Sequence, residues 1–238
     1  VISEYDKKIP STLTAEQILI RSGNIGSVRI GQTVGLENFE EFMNKLNLIY
    51  SIKFDIEEVG VPISFNWGKC KLATASYGHG ITTTILQLAN AYATIVNGGY
   101  EIKPSLIKKD YDLPKKKILN KEVSKKIIPI LRKIVTTKEG TASLANVDGY
   151  EIAGKTGTAQ KSTEGGYSNK KINTFASIFP ASNPKYTLIV MMDEPKTNSE
   201  YIYNYRDGSD IKYKGTPFNT AGWTSVEVVG QIIEKIGP

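Results

Sequence analysis

Two short stretches of this chain carry side chains whose types could act together in a chemical step. The first is Ser22-Gly23-Asn24, and the second, in the C-terminal half, is Lys155-Thr156-Gly157-Thr158. A neutral lysine can take a proton from a serine hydroxyl, and a protonated lysine supplies positive charge to an anion. An asparagine amide holds a donor and an acceptor in one plane and so positions two partners at once. The residue types therefore indicate lysine-assisted serine chemistry.

Spacing alone also allows a simpler interpretation. Ser22 and Asn24 are residue types common at turns, and they could do no more than cap and turn the chain between two helices. Lys155 could be an ordinary lysine on a solvent-facing strand. Three-residue patterns recur by chance, so neither stretch identifies a site by itself.

The composition excludes several other kinds of chemistry. Cys70 and His79 are the only cysteine and the only histidine. An intrachain disulfide is therefore excluded, a zinc site built from histidine and cysteine is not expected, and a Ser-His-Asp triad would have to use His79. The net charge of +6 comes from scattered lysines, which favours a solvated basic surface over nucleic-acid binding. The sequence shows neither a signal peptide nor an apolar run of about 18 residues that would span a membrane.

The N-terminal half reads as helical. Thr14-Ala15-Glu16-Gln17 fits a capping box, so we expect a helix that ends near Arg21 and leaves Ser22-Gly23-Asn24 on a turn. A second helix is predicted from Ile25 to about Gly35. Further helices are predicted over residues 36–46, 84–96 and 122–136, and residues 50–80 read as irregular.

The C-terminal half changes to strands. Strands are predicted over residues 150–161, 174–180 and 186–192 as an antiparallel meander, with residues 162–171 connecting the first pair. Asp207-Gly208 predicts a small protruding hairpin. A second capping box at 224–227 and an apolar stripe up to Ile236 predict a final helix on the sheet. The fold class is therefore α/β, an antiparallel sheet flanked by helices.

Both stretches resemble sequence marks of a known family. Lys155-Thr156-Gly157 and Ser22-Gly23-Asn24 are similar, in order, to two of the three marks of penicillin-binding proteins and serine β-lactamases. Ser76-Tyr77-Gly78-His79-Gly80 and Gly140-Thr141-Ala142 resemble two further elements of the family. Asp193-Glu194-Pro195-Lys196 and Thr220-Ala221-Gly222-Trp223 resemble the end of the transpeptidase domain of class B, division-specific penicillin-binding proteins of the FtsI type. The implied fold is that of these transpeptidases, in an incomplete form.

The third mark, the Ser-x-x-Lys that carries the nucleophile, has no convincing copy. The bare spacing occurs at Ser105, Ser168, Ser182 and Ser209, which all follow the Ser-x-Asn mark and so stand in the wrong order. The resemblance implies that residues 1–238 are the C-terminal portion of one transpeptidase domain, with the nucleophile upstream. We expect this fragment alone to be inactive.

The resemblance implies a D,D-transpeptidase that cross-links peptidoglycan stem peptides ending in D-Ala-D-Ala during septal wall synthesis. The reaction would use a serine acyl-enzyme that β-lactams also form, and no cofactor. Ser22 would relay a proton, Asn24 would hold the catalytic lysine and a substrate carbonyl, and Lys155 would attract the terminal carboxylate. The Thr156 and Thr158 hydroxyls would bind that carboxylate, the Thr158 N–H would form half of the oxyanion hole, and Gly157 would leave space for backbone.

The resemblance also implies partners and a location. The partners would be the missing N-terminal part of the protein and a division glycosyltransferase. The location would be the periplasmic side of the bacterial inner membrane, anchored by an upstream segment. Three alternatives remain: an oxacillinase-type β-lactamase, which usually has an apolar residue where Asn24 stands; a non-catalytic penicillin sensor; and a scaffold that only binds division partners.

Overall fold

The computed structural model describes residues 2–57, 59–63, 69–108, 116–163, 166–215 and 218–237. The chain forms two compact units, residues 1–18 with 23–127 and residues 19–22 with 128–238. The helices are α1 (Ala15–Arg21), α2 (Asn24–Val34), α3 (Leu36–Lys45), α4 (Lys69–Ala75), α5 (Ile85–Val96), α6 (Lys121–Thr136) and α7 (Ser225–Ile236). The strands are β1 (Ala153–Thr163), β2 (Gly166–Phe179), β3 (Tyr186–Asp193), β4 (Ile202–Asn204) and β5 (Lys212–Lys214).

The first unit is helical, as predicted. The capping box that begins α1 is formed, since Thr14 N–H donates to Gln17 and Gln17 N–H donates to the Thr14 hydroxyl. One part of the prediction is wrong, because α4 forms within the stretch that reads as irregular. This helix packs on α2, and a Cβ at Gly31 would come within 1.9 Å of the hydroxyl of Ser76, the residue that follows α4. A seven-residue helix offers too few turns for a periodic apolar pattern to show in the sequence.

The second unit is built on the predicted antiparallel meander, with strand order β1-β2-β3. The first strand begins three residues later and ends two residues later than predicted, and the second is twice as long as predicted. Residues 166–171 belong to β2 instead of a connection, and Lys171 pairs with Gln160 just before a register shift between Gln160 and Ser162. This extension buries no side chain, so apolar alternation does not reveal it. Residues 164–165 of the predicted connection lie outside the described residues.

Helix α7 covers β2 and β3 with its apolar stripe, in which Val226, Val229 and Ile233 are buried. The helix is confirmed, but the capping box predicted at its start is wrong. Glu227 faces inward, where its carboxylate accepts two hydrogen bonds from the Arg206 guanidinium, at 2.8 and 2.9 Å. A buried guanidinium needs a carboxylate partner far more than a helix end needs a cap.

The small hairpin is confirmed as β4 and β5, with Asp207 and Gly208 between the strands. Arg206, in the same loop, attaches the hairpin to α7 through Glu227 and Glu234. The hydrogen bond to Glu227 is the main reason that the pKa of Arg206 lies above its ordinary value. The hairpin therefore has a fixed base on the helix that covers the sheet.

We predict that Glu227→Gln lowers the free energy of unfolding by about 3 kcal/mol, because it leaves a buried guanidinium without its charged partner. Urea denaturation measures the loss. Glu234→Gln is the matched control, since Glu234 also binds Arg206 but its side chain is 52% exposed, and we expect it to cost less than about 1 kcal/mol. Equal losses for the two variants would contradict a buried charge pair at the base of the hairpin.

Candidate active site

Ser22 occupies a strained position immediately after α1. Its φ of 58° lies in the left-handed region, where an ordinary residue costs roughly 1–2 kcal/mol. The hydrogen bonds from Ser22 N–H to Leu19 O (3.3 Å) and from Gly23 N–H to Ile18 O (3.0 Å) form a Schellman turn. Glycine normally fills the left-handed position of this turn, but here the glycine stands one residue later. Residues other than glycine in this conformation cluster at functional sites, so the strain makes Ser22 a candidate site residue.

Lys155 meets that side chain from a position 133 residues away in the sequence. Its Nζ donates to Ser22 Oγ at 2.7 Å and to the Thr156 carbonyl oxygen at 3.0 Å. Burial of the ammonium lowers the pKa of Lys155 from 10.5 to about 8. At neutral pH the side chain is therefore mostly protonated but gives up its proton far more readily than an exposed lysine.

Close packing of β1 on β2 holds the backbone beside Lys155. A Cβ at Gly154 would lie 2.5 Å from the Ala176 carbonyl oxygen and 2.8 Å from the Phe175 ring. Only glycine allows this approach, and Phe175 is fully buried. The lysine therefore extends from a rigid strand, which limits the positions that its ammonium can reach.

The hydroxyls of Thr156 and Thr158 each have a hydrogen-bond partner within the second unit. Thr156 Oγ1 lies 2.6 Å from Thr141 Oγ1. Thr158 Oγ1 accepts a hydrogen bond from Ala221 N–H at 2.9 Å. Between them, Gly157 is exposed, and the nearest atom to a Cβ added there would be 3.9 Å away. The surface above Gly157 is therefore open.

Within the described residues, β1 has a paired neighbour on only one side, since the sheet order is β1-β2-β3. The edge position expected for residues 155–158 is therefore observed. The open edge of such a strand can bind an extended peptide through main-chain hydrogen bonds.

Asn24 lies in the first unit, where it begins α2. Its side-chain Nδ2 donates to the Ser3 carbonyl oxygen at 2.9 Å. The Glu4 carboxylate accepts the N–H groups of Asn24 and Ile25, at 2.7 and 3.0 Å, and so caps the helix. The structure thus brings Ser22 and residues 155–158 into one unit, and it places Asn24 in the other.

Sequence reasoning assigned no role to Thr141, Ala221 or Glu4. The sequence does carry a signal for Thr141 and Ala221, because each has a neighbouring glycine. A Cβ at Gly140 would lie 2.1 Å from the Ile134 carbonyl oxygen, and one at Gly222 would lie 2.7 Å from the Thr141 carbonyl oxygen. Such glycines mark places where two backbone segments touch. Glu4 carries no comparable signal, since its contact partners are about 20 residues away.

The serines with bare Ser-x-x-Lys spacing are not placed as nucleophiles. Ser168 lies in β2, Ser182 lies in the turn before β3, and Ser209 lies between β4 and β5. Ser105 donates to the Asp55 carboxylate outside any helix. None of them begins a helix, so the sequence-based rejection of all four agrees with their positions.

Among the described residues, no group of three or more histidine, cysteine, aspartate or glutamate side chains could hold a metal ion. None of the helices that they form is both long and apolar enough to cross a membrane. The ring of His79 packs against Tyr77 in the first unit, with the ring centroids 4.9 Å apart.

Residues 1–210 match the model of the penicillin-binding protein transpeptidase domain. The chain belongs to this family. The FtsI type is confirmed by relatives over most of the chain. The probable peptidoglycan D,D-transpeptidase FtsI of Caulobacter vibrioides is 28% identical over 243 residues, which cover 96% of this chain and 38% of that protein. The FtsI homolog of Mesostigma viride is 33% identical over 218 residues, which cover 78% of this chain and 36% of that protein.

Solved structures confirm the fold. The transpeptidase domain of penicillin-binding protein 3 from Burkholderia pseudomallei matches with a TM-score of 0.78 and 25% identity, covering 93% of this chain and 63% of that one. Penicillin-binding protein 3 from Mycobacterium tuberculosis, complexed with ampicillin, matches with a TM-score of 0.80 and 23% identity, covering 98% of this chain and 53% of that one. The chain spans between about a third and a half of the length of the curated relatives it matches.

We predict that Ser22→Gly is more stable than Ser22→Ala by about 1 kcal/mol, because glycine adopts the left-handed conformation without strain. Both variants remove the hydroxyl that Lys155 contacts, so that loss cancels in the comparison. Urea denaturation of the two variants measures the difference. Equal stability, or a more stable alanine variant, would show that Ser22 is not strained in the folded protein.

Proposed function

We propose that this chain provides part of the active site of a peptidoglycan D,D-transpeptidase that cross-links stem peptides during septal wall synthesis. The observation that carries the proposal is the hydrogen bond of 2.7 Å from Lys155 Nζ to Ser22 Oγ. It joins the two sequence marks that the family places in one cleft. A lysine with a pKa of about 8 beside a small hydroxyl is suited to both proton relay and anion binding.

The proposed reaction proceeds through a serine ester. The oxygen of the nucleophilic serine bonds to the carbonyl carbon of the penultimate D-alanine, and the C–N bond to the last D-alanine breaks. The serine proton passes to the lysine of Ser-x-x-Lys, and Ser22 relays a proton to the departing amine. An amine of a second stem peptide then attacks the ester, an amide forms, and the serine oxygen takes back a proton.

Residues 155–158 bind the substrate in this proposal. The Lys155 ammonium and the Thr156 and Thr158 hydroxyls bind the terminal carboxylate, and the edge of β1 pairs with the peptide backbone. The Thr158 N–H stabilises the oxyanion that forms during attack. The family resemblance assigns Asn24 the role of holding the catalytic lysine and a substrate carbonyl group, and the proposal keeps that role.

The proposal assigns residues 1–238 to the C-terminal portion of one transpeptidase domain, with the Ser-x-x-Lys nucleophile upstream of Val1. Its support is the order of the marks, since every bare Ser-x-x-Lys match follows Ser22. A division glycosyltransferase is the proposed partner protein. The proposed location is the periplasmic side of the inner membrane, with an anchor upstream of this chain.

To test this, the natural full-length polypeptide is incubated with benzylpenicillin, and the adduct is located by peptide mass spectrometry. We expect the whole penicillin on a serine upstream of Val1, stable over many minutes. Lys155→Met should slow acylation on the order of 100-fold, because both relay and anion binding are lost. Lys170→Met is the control and should leave the rate unchanged, since that side chain is 65% exposed on β2.

The other outcomes separate the alternatives. Rapid release of hydrolysed penicillin would indicate an oxacillinase-type β-lactamase. A stable adduct without peptidoglycan cross-linking would indicate a penicillin sensor, and no adduct would leave a scaffold. An adduct on a serine within residues 1–238 would refute the assignment of the nucleophile to an upstream segment.

A further inference from the structure

We propose that the segment 219–223 is a positioning device that fixes the Thr158 hydroxyl as a donor toward a carboxylate on the substrate. The inference rests on the proposed function and adds residues that neither sequence mark contains. Its starting point is the hydrogen bond of 2.9 Å from Ala221 N–H to Thr158 Oγ1. A hydroxyl has one proton to donate. Because the Thr158 oxygen accepts from Ala221, that proton is directed to a different partner.

The start of the segment is hydrogen-bonded to β2. Asn173, which pairs with Thr158 in the register of β1 and β2, is fully buried. Its Nδ2 donates to Asn219 Oδ1 at 2.8 Å and to Thr224 Oγ1 at 3.0 Å. Lys171 Nζ donates to the Asn219 carbonyl oxygen at 2.9 Å. Two residues of β2 thus hold the start of the segment close to the strand that carries Thr158.

The hairpin of β4 and β5 contacts the end of the segment, at Trp223. Tyr203 is buried, and its hydroxyl donates to the Trp223 carbonyl oxygen at 2.8 Å. The rings of Tyr203 and Tyr213 each lie with their centroids 5.0 Å from that of Trp223. Aromatic pairs at this separation attract each other beyond their burial of apolar surface. The hairpin, itself held by Arg206 on α7, therefore supports the turn that carries the Ala221 N–H group.

The same segment also borders the second threonine of the site. A Cβ at Gly222 would lie 2.7 Å from the Thr141 carbonyl oxygen, so the two backbones touch. Thr141 in turn shares a hydrogen bond of 2.6 Å with Thr156. One supporting segment thus sets the surroundings of both hydroxyls. An oriented hydroxyl donor at Thr158 favours a carboxylate over a neutral ester or amide.

The test compares acylation by benzylpenicillin, which bears a carboxylate, with acylation by its methyl ester, which does not. The protein is the natural polypeptide, and the readout is the ratio of the two second-order rate constants. Tyr203→Phe removes the hydrogen bond to Trp223 and keeps the ring. We expect this ratio to fall about threefold to tenfold, the usual effect of one hydrogen bond, while the rate with the ester stays unchanged.

A second variant and a double variant extend the test. Asn219→Ala should lower the ratio in the same way, since it removes the side chain that Asn173 holds. Thr158→Val should lower the ratio by at least as much, and adding Tyr203→Phe to it should lower the ratio no further. Tyr186→Phe is the control, because Tyr186 stacks on Phe179, six residues from Asn173 along β2.

The outcomes distinguish this inference from the function it rests on. If the wild-type polypeptide is acylated and neither Tyr203→Phe nor Asn219→Ala changes the ratio, the positioning role is wrong. Equal losses with both compounds would show a merely structural role and would also overturn it. If neither compound acylates the wild-type protein, the proposed function fails first, and the inference fails with it.

Discussion

The contact between the Lys155 ammonium and the Ser22 hydroxyl is the interaction on which the site depends. An ammonium that loses water must recover hydrogen bonds from the protein, and Ser22 and the Thr156 carbonyl oxygen provide them. Two features of the pair are unfavourable for the folded protein. Burial lowers the pKa of Lys155, and the backbone of Ser22 is left-handed. Both features fit the role in proton relay and anion binding that we propose for the pair.

The rest of the second unit makes this arrangement rigid. β1 is held against β2 by close packing at Gly154, and α7 covers β2 and β3 with an apolar stripe. The buried pair of Arg206 and Glu227 joins the hairpin to α7, and the hairpin supports the segment that touches Thr158. A chain of contacts therefore runs from a charge pair at the base of the hairpin to a hydroxyl that we assign to substrate binding.

The sequence predicts much of this because local signals agree. Thr14 and Gln17 mark the start of α1, and the two sequence marks name the residues that the structure joins. Where a contact depends on distant partners, local signals fail. The pattern around Glu227 reads as a helix cap, since nothing nearby reveals the Arg206 guanidinium. The hydrogen bond from Ala221 to Thr158 is hidden in the same way, because a backbone donor has no residue type.

The most direct test of the account is an NMR titration of the lysines after reductive ¹³C-methylation, with Lys155 assigned by Lys155→Arg. We predict a resonance that titrates near pH 8, far below the ordinary value of 10.5. In Ser22→Ala the pKa should fall further, because the hydroxyl that accepts from the charged form is gone. A Lys155 resonance that titrates near 10.5 and does not respond to Ser22→Ala would show that the two side chains do not meet, and the account would be wrong.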